Sequence, residues 1–366
     1  MKTILQNFFQ SERFLLIDRA FLGLYAVFCE IKKKTGKNKI IFTAMTCPSP
    51  VFAAIMAGCE PVFIDINEKD YLMDFSETVL CLETQKDIAA VVYIYIFGNA
   101  SEDVLKLRQL TQESGIYLIE DAAQAFGGEI AGRKIGRVGD AAVFSFGHSK
   151  QIDAGAGGCL VLNSMEFNLE MLEWRIGQLE RFAPDEELAK NYRDEFYAVR
   201  KQGLLNPLAY QKYEKFQEKY RGLYLKQITV DWASVREKTE KFILNNEIDR
   251  RYERALAYQT AFKNMKCCGK LSLPIISKGT SVYRYTFMAK NAVDAEAISE
   301  LLRKNDIHCS NLHIPVSRIY HQNNYEHAVD FAKRVINLWV DDVATDQYIQ
   351  KTVQIIAEYY EKAGAA

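Results

Sequence analysis

An aspartate, a serine and a lysine between residues 119 and 160 have the types and spacing of a catalytic site. Asp121 directly follows the apolar run IYLIE, and two alanines come after it. Ser145 ends the run AAVFS, and Lys150 lies five residues later, before a glycine-rich turn. A buried carboxylate needs a cation or a protonated ligand nitrogen beside it, because its desolvation is otherwise costly. A lysine whose pKa is lowered by burial near other cations has a free amine that can form a Schiff base.

One cofactor suits all three side chains. Pyridoxal phosphate offers an aldehyde to the lysine, a pyridine nitrogen to the carboxylate and a phosphate to the hydroxyl. Each residue taken alone also has a plainer interpretation. An aspartate before two alanines is usually a helix cap, and a lysine after a strand is usually solvated. The spacing therefore favours the cofactor and leaves the plainer interpretation open.

The elements that would position these residues alternate over the first 165 residues. Short apolar runs predict buried strands, and patterned segments between them predict helices. Strands that are apolar on both faces and separated by helices favour a largely parallel sheet covered on both sides, which is a fold of the α/β class. In such a sheet ligands bind at the carboxyl ends of the strands, where Asp121 is expected. The predicted strands are 38–43, 61–65, 89–96, 116–120, 141–146 and 159–163, and the predicted helices are 50–58 and 101–114.

The rest of the chain predicts a different organisation. Residues 166–221 are rich in charged residues, Tyr and Leu, with few helix breakers. We predict a large domain over 1–240 and, over 241–366, a long linking helix and a small C-terminal α+β domain. The predicted elements are one long helix, straight or bent, over 231–265, a linker over 269–279, strands over 282–288 and 307–309, and helices over 292–304 and 345–362.

Composition excludes several classes of protein. The chain has 46 Lys and Arg against 47 Asp and Glu, so bulk charge does not favour nucleic acid as a partner. Hydrophobic residues make up 49% of the chain, which excludes disorder. No apolar run is long enough to span a membrane, and the first residues lack the features of a secretory signal, so we expect a cytoplasmic protein. The eight cysteines are scattered without a CxxC pair, which predicts reduced thiols and no metal site.

The run EDAAQAFGGEIAGRKIGRVGDAAVFSFGHSK, followed by GAGG, resembles the core signature of the DegT/DnrJ/StrS sugar aminotransferases. The resemblance extends upstream through residues 40–65 and 95–100, and more weakly downstream through 283–315. It implies the aspartate aminotransferase-like fold, with a large domain built on a mainly parallel seven-stranded sheet between helices. It also implies pyridoxal 5'-phosphate as the cofactor, and a homodimer with active sites at the interface.

By motif position, the resemblance implies a role for each of five residues. Lys150 would be the Schiff-base lysine, and Asp121 would pair with the pyridine nitrogen. Gln124 would lie near the phenolic oxygen of the cofactor, and Ser145 would bind its phosphate. Cys47 falls where many relatives place an aromatic ring against the cofactor.

Other positions depart from the family pattern. Ala20 and Phe21 replace a Gly-Thr turn at a helix start, whose backbone N–H groups hold the phosphate. Arg19 could add positive charge there. His148 could touch substrate or pack at a strand edge, and Arg284 could bind a carboxylate.

The segment that reaches the neighbouring subunit's site in the family is not evident. Residues 223–226 lie near its expected place, after an apparent helical insertion at about 170–222. Lys226 would then be either a phosphate ligand across the dimer or a surface lysine. The insertion could reshape the substrate pocket or build an extra interface.

The resemblance implies transfer of an amino group from an amino acid, usually glutamate, to a keto sugar that is normally linked to a nucleotide. Relatives that act as dehydratases replace the lysine by histidine, so Lys150 favours transamination. Two alternatives stay open: elimination or dehydration with the same cofactor, and a non-catalytic binding or regulatory protein on the same fold. A nicotinamide site is not favoured, because no GxGxxG motif follows an early strand.

Overall fold

The computed structural model describes residues 1–182, 186–203, 209–311, 313–322 and 325–365. The strands are β1 Phe14–Ile17, β2 Lys39–Thr43, β3 Glu60–Ile64, β4 Ile88–Ile94, β5 Tyr117–Asp121, β6 Glu129–Ile130, β7 Arg133–Lys134, β8 Ala141–Ser145, β9 Gly158–Leu162, β10 Arg284–Met288, β11 Cys309–Ser310 and β12 Val335–Trp339. The helices are α1 Lys2–Phe9, α2 Ala20–Thr35, α3 Pro48–Met56, α4 Phe75–Thr84, α5 Asp103–Glu113, α6 Leu169–Gly177, α7 Glu186–Gly203, α8 Ala209–Lys219, α9 Arg221–Tyr224, α10 Trp232–Leu244, α11 Glu247–Lys263, α12 Ala292–Lys304, α13 Val316–Ile319, α14 Glu326–Arg334 and α15 Asp346–Ala365.

The central layer is a seven-stranded sheet in the order β1-β9-β8-β5-β4-β2-β3. The five strands from β3 to β8 in this order are parallel, whereas β9 runs antiparallel to β8 and β1 antiparallel to β9. Every residue of β4 and β5 is buried, as expected for central strands covered on both faces. The predicted α/β class and mainly parallel sheet are therefore confirmed. The edge strand β1 was not predicted.

Helix α2 packs closely on this sheet, and a glycine makes the contact possible. A Cβ atom at Gly23 would lie 2.7 Å from Cδ1 of Ile17 and 3.2 Å from Cγ1 of Val143. A side chain here would have to displace Ile17, so glycine favours this close approach of helix to sheet. The first residue of α2 is thereby fixed near the carboxyl end of β8, where the candidate site lies.

A second sheet has three antiparallel strands in the order β10-β12-β11. Helices α11, α12 and α15 contribute to the apolar cluster of this smaller part, together with the rings of Tyr258, Phe262 and Tyr285. Helices α13 and α14 contribute instead to the core of the larger part. The Tyr325 hydroxyl also donates a hydrogen bond to the backbone oxygen of Phe63 at 3.1 Å. The central strand β12 was not predicted.

The predicted single helix over 231–265 is wrong, because the structure has two helices there, α10 and α11. Asn245 and Asn246 separate them, and Asn246 has a φ of 50°, in the left-handed region. Asparagine enters that region more readily than most residues, so it can end one helix and redirect the chain. None of the helices in the described part of the chain is long and apolar enough to cross a bilayer.

Candidate active site

Two neighbouring parallel strands end at the candidate site. Strand β5 ends at Asp121 and β8 at Ser145, and their register pairs Asp121 with Val143. Because the strands are parallel, their carboxyl ends meet at the same edge of the sheet. This arrangement brings the predicted aspartate and serine together.

A buried glutamate fixes the loop between these strands. The Glu120 carboxylate is 0% exposed. It accepts hydrogen bonds from the N–H groups of Gly136, Val138 and Gly139 at 2.7 to 2.9 Å, and from the Tyr95 hydroxyl at 2.6 Å. Burial raises the pKa of Glu120, and these donors oppose that effect. The glycine-rich loop of the signature is thus held by the residue that precedes Asp121.

Asp121 is buried with few partners. It is 8% exposed, and Oδ1 accepts a hydrogen bond from the Ala123 N–H at 3.0 Å. Within the described residues this is the one hydrogen bond that its carboxylate accepts. Burial raises the pKa of Asp121, while the Ala123 N–H and the charge of Lys150 lower it. Among the described residues, the carboxylate thus keeps most of its capacity to accept hydrogen bonds from a further partner.

The loop that carries Lys150 is anchored on both sides of the lysine. The Tyr283 hydroxyl donates a hydrogen bond to the backbone oxygen of Ser149, whose φ is 59°. The Gln151 amide donates to the backbone oxygen of Ser281 at 2.9 Å and to its hydroxyl at 2.6 Å. Both anchors belong to the segment that leads into β10. The C-terminal part of the chain thus positions the lysine.

Ser145 and the start of α2 lie close together through Gly158. Ser145 pairs with Gly158 across β8 and β9, and a Cβ atom at Gly158 would lie 3.3 Å from the backbone nitrogen of Ala20. The same Cβ atom would lie 2.6 Å from the backbone oxygen of Phe144. Helix α2 begins at Ala20, so the N–H groups of Ala20 and Phe21 belong to its first turn and favour an anion. The structure thus brings the predicted phosphate ligands near one another.

Two further predicted residues, Arg19 and Lys226, have partners within this chain. The Nη2 atom of Arg19 donates to the backbone oxygens of Leu223 at 3.0 Å and Tyr224 at 2.9 Å, and also to that of Lys226. These carbonyl groups lie at the end of α9 and just after it, where carbonyl groups lack donors within the helix and bind donors from outside. The ammonium of Lys226 pairs with Glu180 of the same chain at 3.2 Å. The phosphate-binding roles of Arg19 and, across the dimer, of Lys226 stay predictions.

A cavity of about 640 Å³ opens over the lysine loop. Five predicted residues line it, namely Cys47, Gln124, His148, Lys150 and Arg284. The described lining of the cavity does not include the other six predicted residues, which are Arg19, Ala20, Phe21, Asp121, Ser145 and Lys226. The Gln124 side chain is fixed there, since its Oε1 accepts the Phe97 N–H at 2.7 Å. The His148 side chain is 79% exposed and lies at 3.6 Å from Asp153, so it is not packed.

Several residues that line the cavity were not predicted. Phe196 of α7 and Tyr213 of α8 belong to the helical insertion, of which 183–185 and 204–208 lie outside the described residues. The small sheet contributes Asn337 and Trp339. Because these residues lie in charged or short apolar segments, no local pattern distinguished them from surface or core residues.

His313 also lines the cavity, and its Nε2 lies 2.7 Å from the Nδ2 of Asn337. Oδ1 of Asn337 in turn accepts the Thr286 hydroxyl at 2.6 Å. The Thr46 hydroxyl lines the same cavity and is buried with no hydrogen-bond partner among the described residues. These groups give the cavity polar positions for a ligand, in addition to the predicted ones.

Comparison with known proteins identifies the family of this chain. The model of the DegT/DnrJ/EryC1/StrS aminotransferase family matches residues 21–357. The chain belongs to this family. Members of the family depend on pyridoxal phosphate, so the predicted cofactor is confirmed.

Individual relatives match over shorter stretches. GDP-perosamine synthase of Vibrio cholerae is 35% identical over 130 residues, covering 36% of this chain and 35% of that protein. The dTDP-3-amino-3,4,6-trideoxy-alpha-D-glucose transaminase of Micromonospora megalomicea subsp. nigra is 37% identical over 133 residues, covering 36% of this chain and 35% of that protein. The chain thus spans about a third of the length of these curated relatives.

The fold extends over nearly the whole chain in solved structures. Helicobacter pylori PseC, an aminotransferase involved in the biosynthesis of pseudoaminic acid, superposes with a TM-score of 0.73 at 18% identity. The superposition covers 98% of this chain and 90% of that one. At this identity the likeness shows the fold alone.

The residues present fit the cofactor of the family. Asp121 is a buried carboxylate with one N–H donor in the described part of the chain, and this is the environment in which a protonated ring nitrogen would be held. Gly158 leaves space where a Cβ atom would crowd the first N–H of α2 and the end of β8. Lys150 lies within range for its charge to act on Asp121.

Proposed function

We propose that this protein transfers an amino group from an amino acid, glutamate in the first instance, to a keto sugar that is linked to a nucleotide. The observation that carries the proposal is that Lys150 and Gln124 line one cavity, and that the charge of Lys150 acts on the buried Asp121 at the end of β5. The aminotransferase family and the sugar substrates in the relatives' names support it.

When bound, pyridoxal phosphate supplies an aldehyde that captures amines and a ring that draws electrons from the carbon losing a proton. Asp121 would hold a proton at the ring nitrogen, where it would keep the ring an effective electron acceptor. Lys150 would supply the amine for the Schiff base and would move a proton as general base and acid. The anchors at Ser149 and Gln151 keep that amine in place.

Neutral donors would hold the phosphate of the cofactor. The Ser145 hydroxyl and the N–H groups of Ala20 and Phe21 would donate to it, at the positive end of α2. By motif position, Gln124 would lie near the phenolic oxygen, and Cys47, which precedes α3, would lie against the ring. These assignments follow the family motif position by position.

The helical insertion forms the acceptor side of the cavity. Phe196 and Tyr213 line it together with residues of the small sheet, and two contacts hold the insertion in place. The Tyr320 hydroxyl donates to Oε1 of Gln217 at 3.0 Å. Arg19 binds the end of α9. Of the two predicted roles for the insertion, this arrangement favours a reshaped substrate pocket.

The predicted homodimer is tested by the mass of the holoenzyme in solution.

Reconstitution with pyridoxal phosphate tests the proposal. The purified protein should become yellow, and glutamate should change its absorbance and release 2-oxoglutarate. After borohydride treatment the cofactor should stay attached to the peptide that contains Lys150. Lys150→Ala should abolish keto-acid release, whereas Lys33→Ala, an exposed lysine on α2, should behave like the wild type. Normal turnover of glutamate by Lys150→Ala would refute the assignment.

The second half-reaction needs its own test. The aminated holoenzyme is mixed with a panel of keto sugars, free and nucleotide-linked, and the return of the original absorbance is followed. A nucleotide-linked keto sugar should restore it with the lowest KM. Release of water or ammonia without a keto acid would instead indicate an eliminating enzyme.

A further inference from the structure

One cysteine differs from the others in its exposure. All eight cysteines lie in the described part of the chain, and only Cys47 among them is exposed. A thiol whose pKa is raised by burial forms little of the thiolate that reacts. Burial raises the pKa of six of the other thiols, which are Cys29, Cys59, Cys81, Cys159, Cys267 and Cys309. Exposure therefore distinguishes Cys47 as the accessible thiol.

Cys47 lines the active-site cavity beside an unsatisfied hydroxyl. Cys47 is the residue before α3, and its side chain accepts no capping hydrogen bond from that helix. Thr46 lines the same cavity and is 4% exposed, and its hydroxyl has no hydrogen-bond partner among the described residues. A buried hydroxyl without a partner is costly, so it marks a position where a ligand supplies a hydrogen bond. The wall beside the thiol is thus suited to a polar ligand.

The cavity has an excess of positive charge. Lys150, Arg284 and Arg303 line it, and no aspartate or glutamate occurs in its described lining. The Arg284 guanidinium is held in place, since its Cζ atom lies 4.0 Å from the centre of the Tyr283 ring and 4.1 Å from that of the Trp339 ring. A concave site lined by one sign of charge concentrates ligands of the opposite sign. An anion is therefore the ligand expected to meet the Cys47 thiol.

We propose that Cys47 is a site of reversible modification by a low-molecular-weight disulfide that carries carboxylate groups. The thiolate sulfur of Cys47 attacks one sulfur of the disulfide and forms a new S–S bond with it, while the original S–S bond breaks. The other half leaves as a thiolate and takes up the proton that Cys47 has released. Cys47 is thereby oxidised and the leaving half is reduced, and a small thiol reverses the exchange.

The adduct occupies space that the reaction needs. The cavity of about 640 Å³ is large enough for a group the size of a tripeptide, and Gln124 and Lys150 line it together with Cys47. By motif position Cys47 would lie against the cofactor ring, so cofactor and adduct compete for one place. The exchange itself goes beyond the proposed function, because it needs only the thiol and the cavity. Its effect on transamination rests on that function.

Mass spectrometry of the treated protein tests the modification, with glutathione disulfide as the probe. The wild-type apoprotein should gain one glutathionyl group on the peptide that contains Cys47, and dithiothreitol should remove it. Cys47→Ser should gain none in the same time. Cys309→Ser is the matched control and should react like the wild type. Cys309 lines the same cavity, but it is half-buried and its Sγ lies 3.4 Å from the backbone oxygen of Ser299. A wild-type protein without an adduct on Cys47 overturns the inference, and so does equal modification of Cys47→Ser.

Two rate comparisons test the place and the charge of the ligand. With pyridoxal phosphate at about ten times its Kd, the exchange should slow about 10-fold, because only empty sites react. Cystamine, a disulfide with two positive charges, should react with Cys47 more slowly than glutathione disulfide at low salt, each rate being divided by that with N-acetylcysteinamide. The difference should shrink at high salt. Equal relative rates at low salt overturn the choice of an anionic ligand, and an exchange that the cofactor does not slow overturns the competition.

Transamination should be lost together with the free thiol. Each holoenzyme is compared with its own untreated sample, because Cys47 is itself a predicted cofactor residue. Wild-type release of keto acid from glutamate should fall in proportion to the modified fraction and return with dithiothreitol, whereas Cys47→Ser should keep its own starting rate. Full activity of the modified wild type overturns the blocking role of the adduct. An untreated holoenzyme that releases no keto acid would refute the proposed function instead, and the mass of the adduct still tests the modification.

Discussion

Replacing Asp121 by asparagine should stabilise the apoprotein and weaken the holoenzyme. The carboxylate is 8% exposed and accepts one described hydrogen bond, from the Ala123 N–H, which the amide oxygen of asparagine can also accept. Removing a buried charge with so few partners should raise the free energy of unfolding of the apoprotein by about 1 to 3 kcal/mol at pH 7. Because tertiary structure imposes this cost, an exposed aspartate would show none of it.

The pH dependence has a definite sign. Burial raises the pKa of Asp121 in the folded protein above its ordinary value of 3.8. Between the ordinary pKa and the raised pKa, the native apoprotein therefore binds more protons than the unfolded chain. The stability of the wild-type apoprotein therefore falls as pH rises through that window, and the cost is fully present above it. Asp121→Asn lacks this contribution. The two apoproteins should have similar stabilities below the window and diverge above it.

Although Asp121→Asn should stabilise the apoprotein, it should lower the affinity for the cofactor and the rate of the glutamate half-reaction. Asparagine cannot provide a charge-assisted hydrogen bond to a protonated ring nitrogen, and losing one costs roughly 1.5 to 3 kcal/mol, or about 10- to 150-fold in Kd. The rate of the glutamate half-reaction should fall about 10²- to 10³-fold. The assays are urea unfolding of both apoproteins across pH, cofactor titration by fluorescence, and stopped-flow absorbance with glutamate. An apoprotein destabilised at pH 7, with unchanged cofactor affinity, would refute the reasoning.

Three further predictions follow from particular contacts. Glu120→Gln should lower the free energy of unfolding by about 2 to 4 kcal/mol in urea titrations, because three N–H donors lose a buried carboxylate as their acceptor. A variant as stable as the wild type would contradict the role of Glu120 in holding the loop. Phe196→Ala should raise the acceptor KM about 10-fold and leave the donor half-reaction unchanged in stopped-flow assays, and an equal loss in both would argue against an acceptor wall. Tyr283→Phe removes the hydroxyl that holds Ser149 and should lower kcat about 10-fold at full cofactor occupancy, whereas unchanged kcat would show that this anchor is dispensable.

The sequence determined the main sheet and the residues at its edge. Asp121 and Ser145 each end a continuous apolar run, and such runs predict buried parallel strands whose carboxyl ends meet. The glycine-rich signature lies within one short stretch of chain, so its pattern is readable without knowledge of the fold. Strand β12 was missed, although its apolar run VINLW carries the same kind of signal.

Only the tertiary structure decided which way the long polar side chains point and which distant residues complete the cavity. Arg19 precedes α2, where we propose that the phosphate binds, yet its guanidinium donates to the carbonyl groups at the end of α9. Phe196 of the insertion and Trp339 of the small sheet reach the cavity from elements far away in the sequence. Local periodicity shows that a residue is on a helix or a strand, but the partner it faces depends on how separate elements pack, and packing is set by contacts across the whole chain.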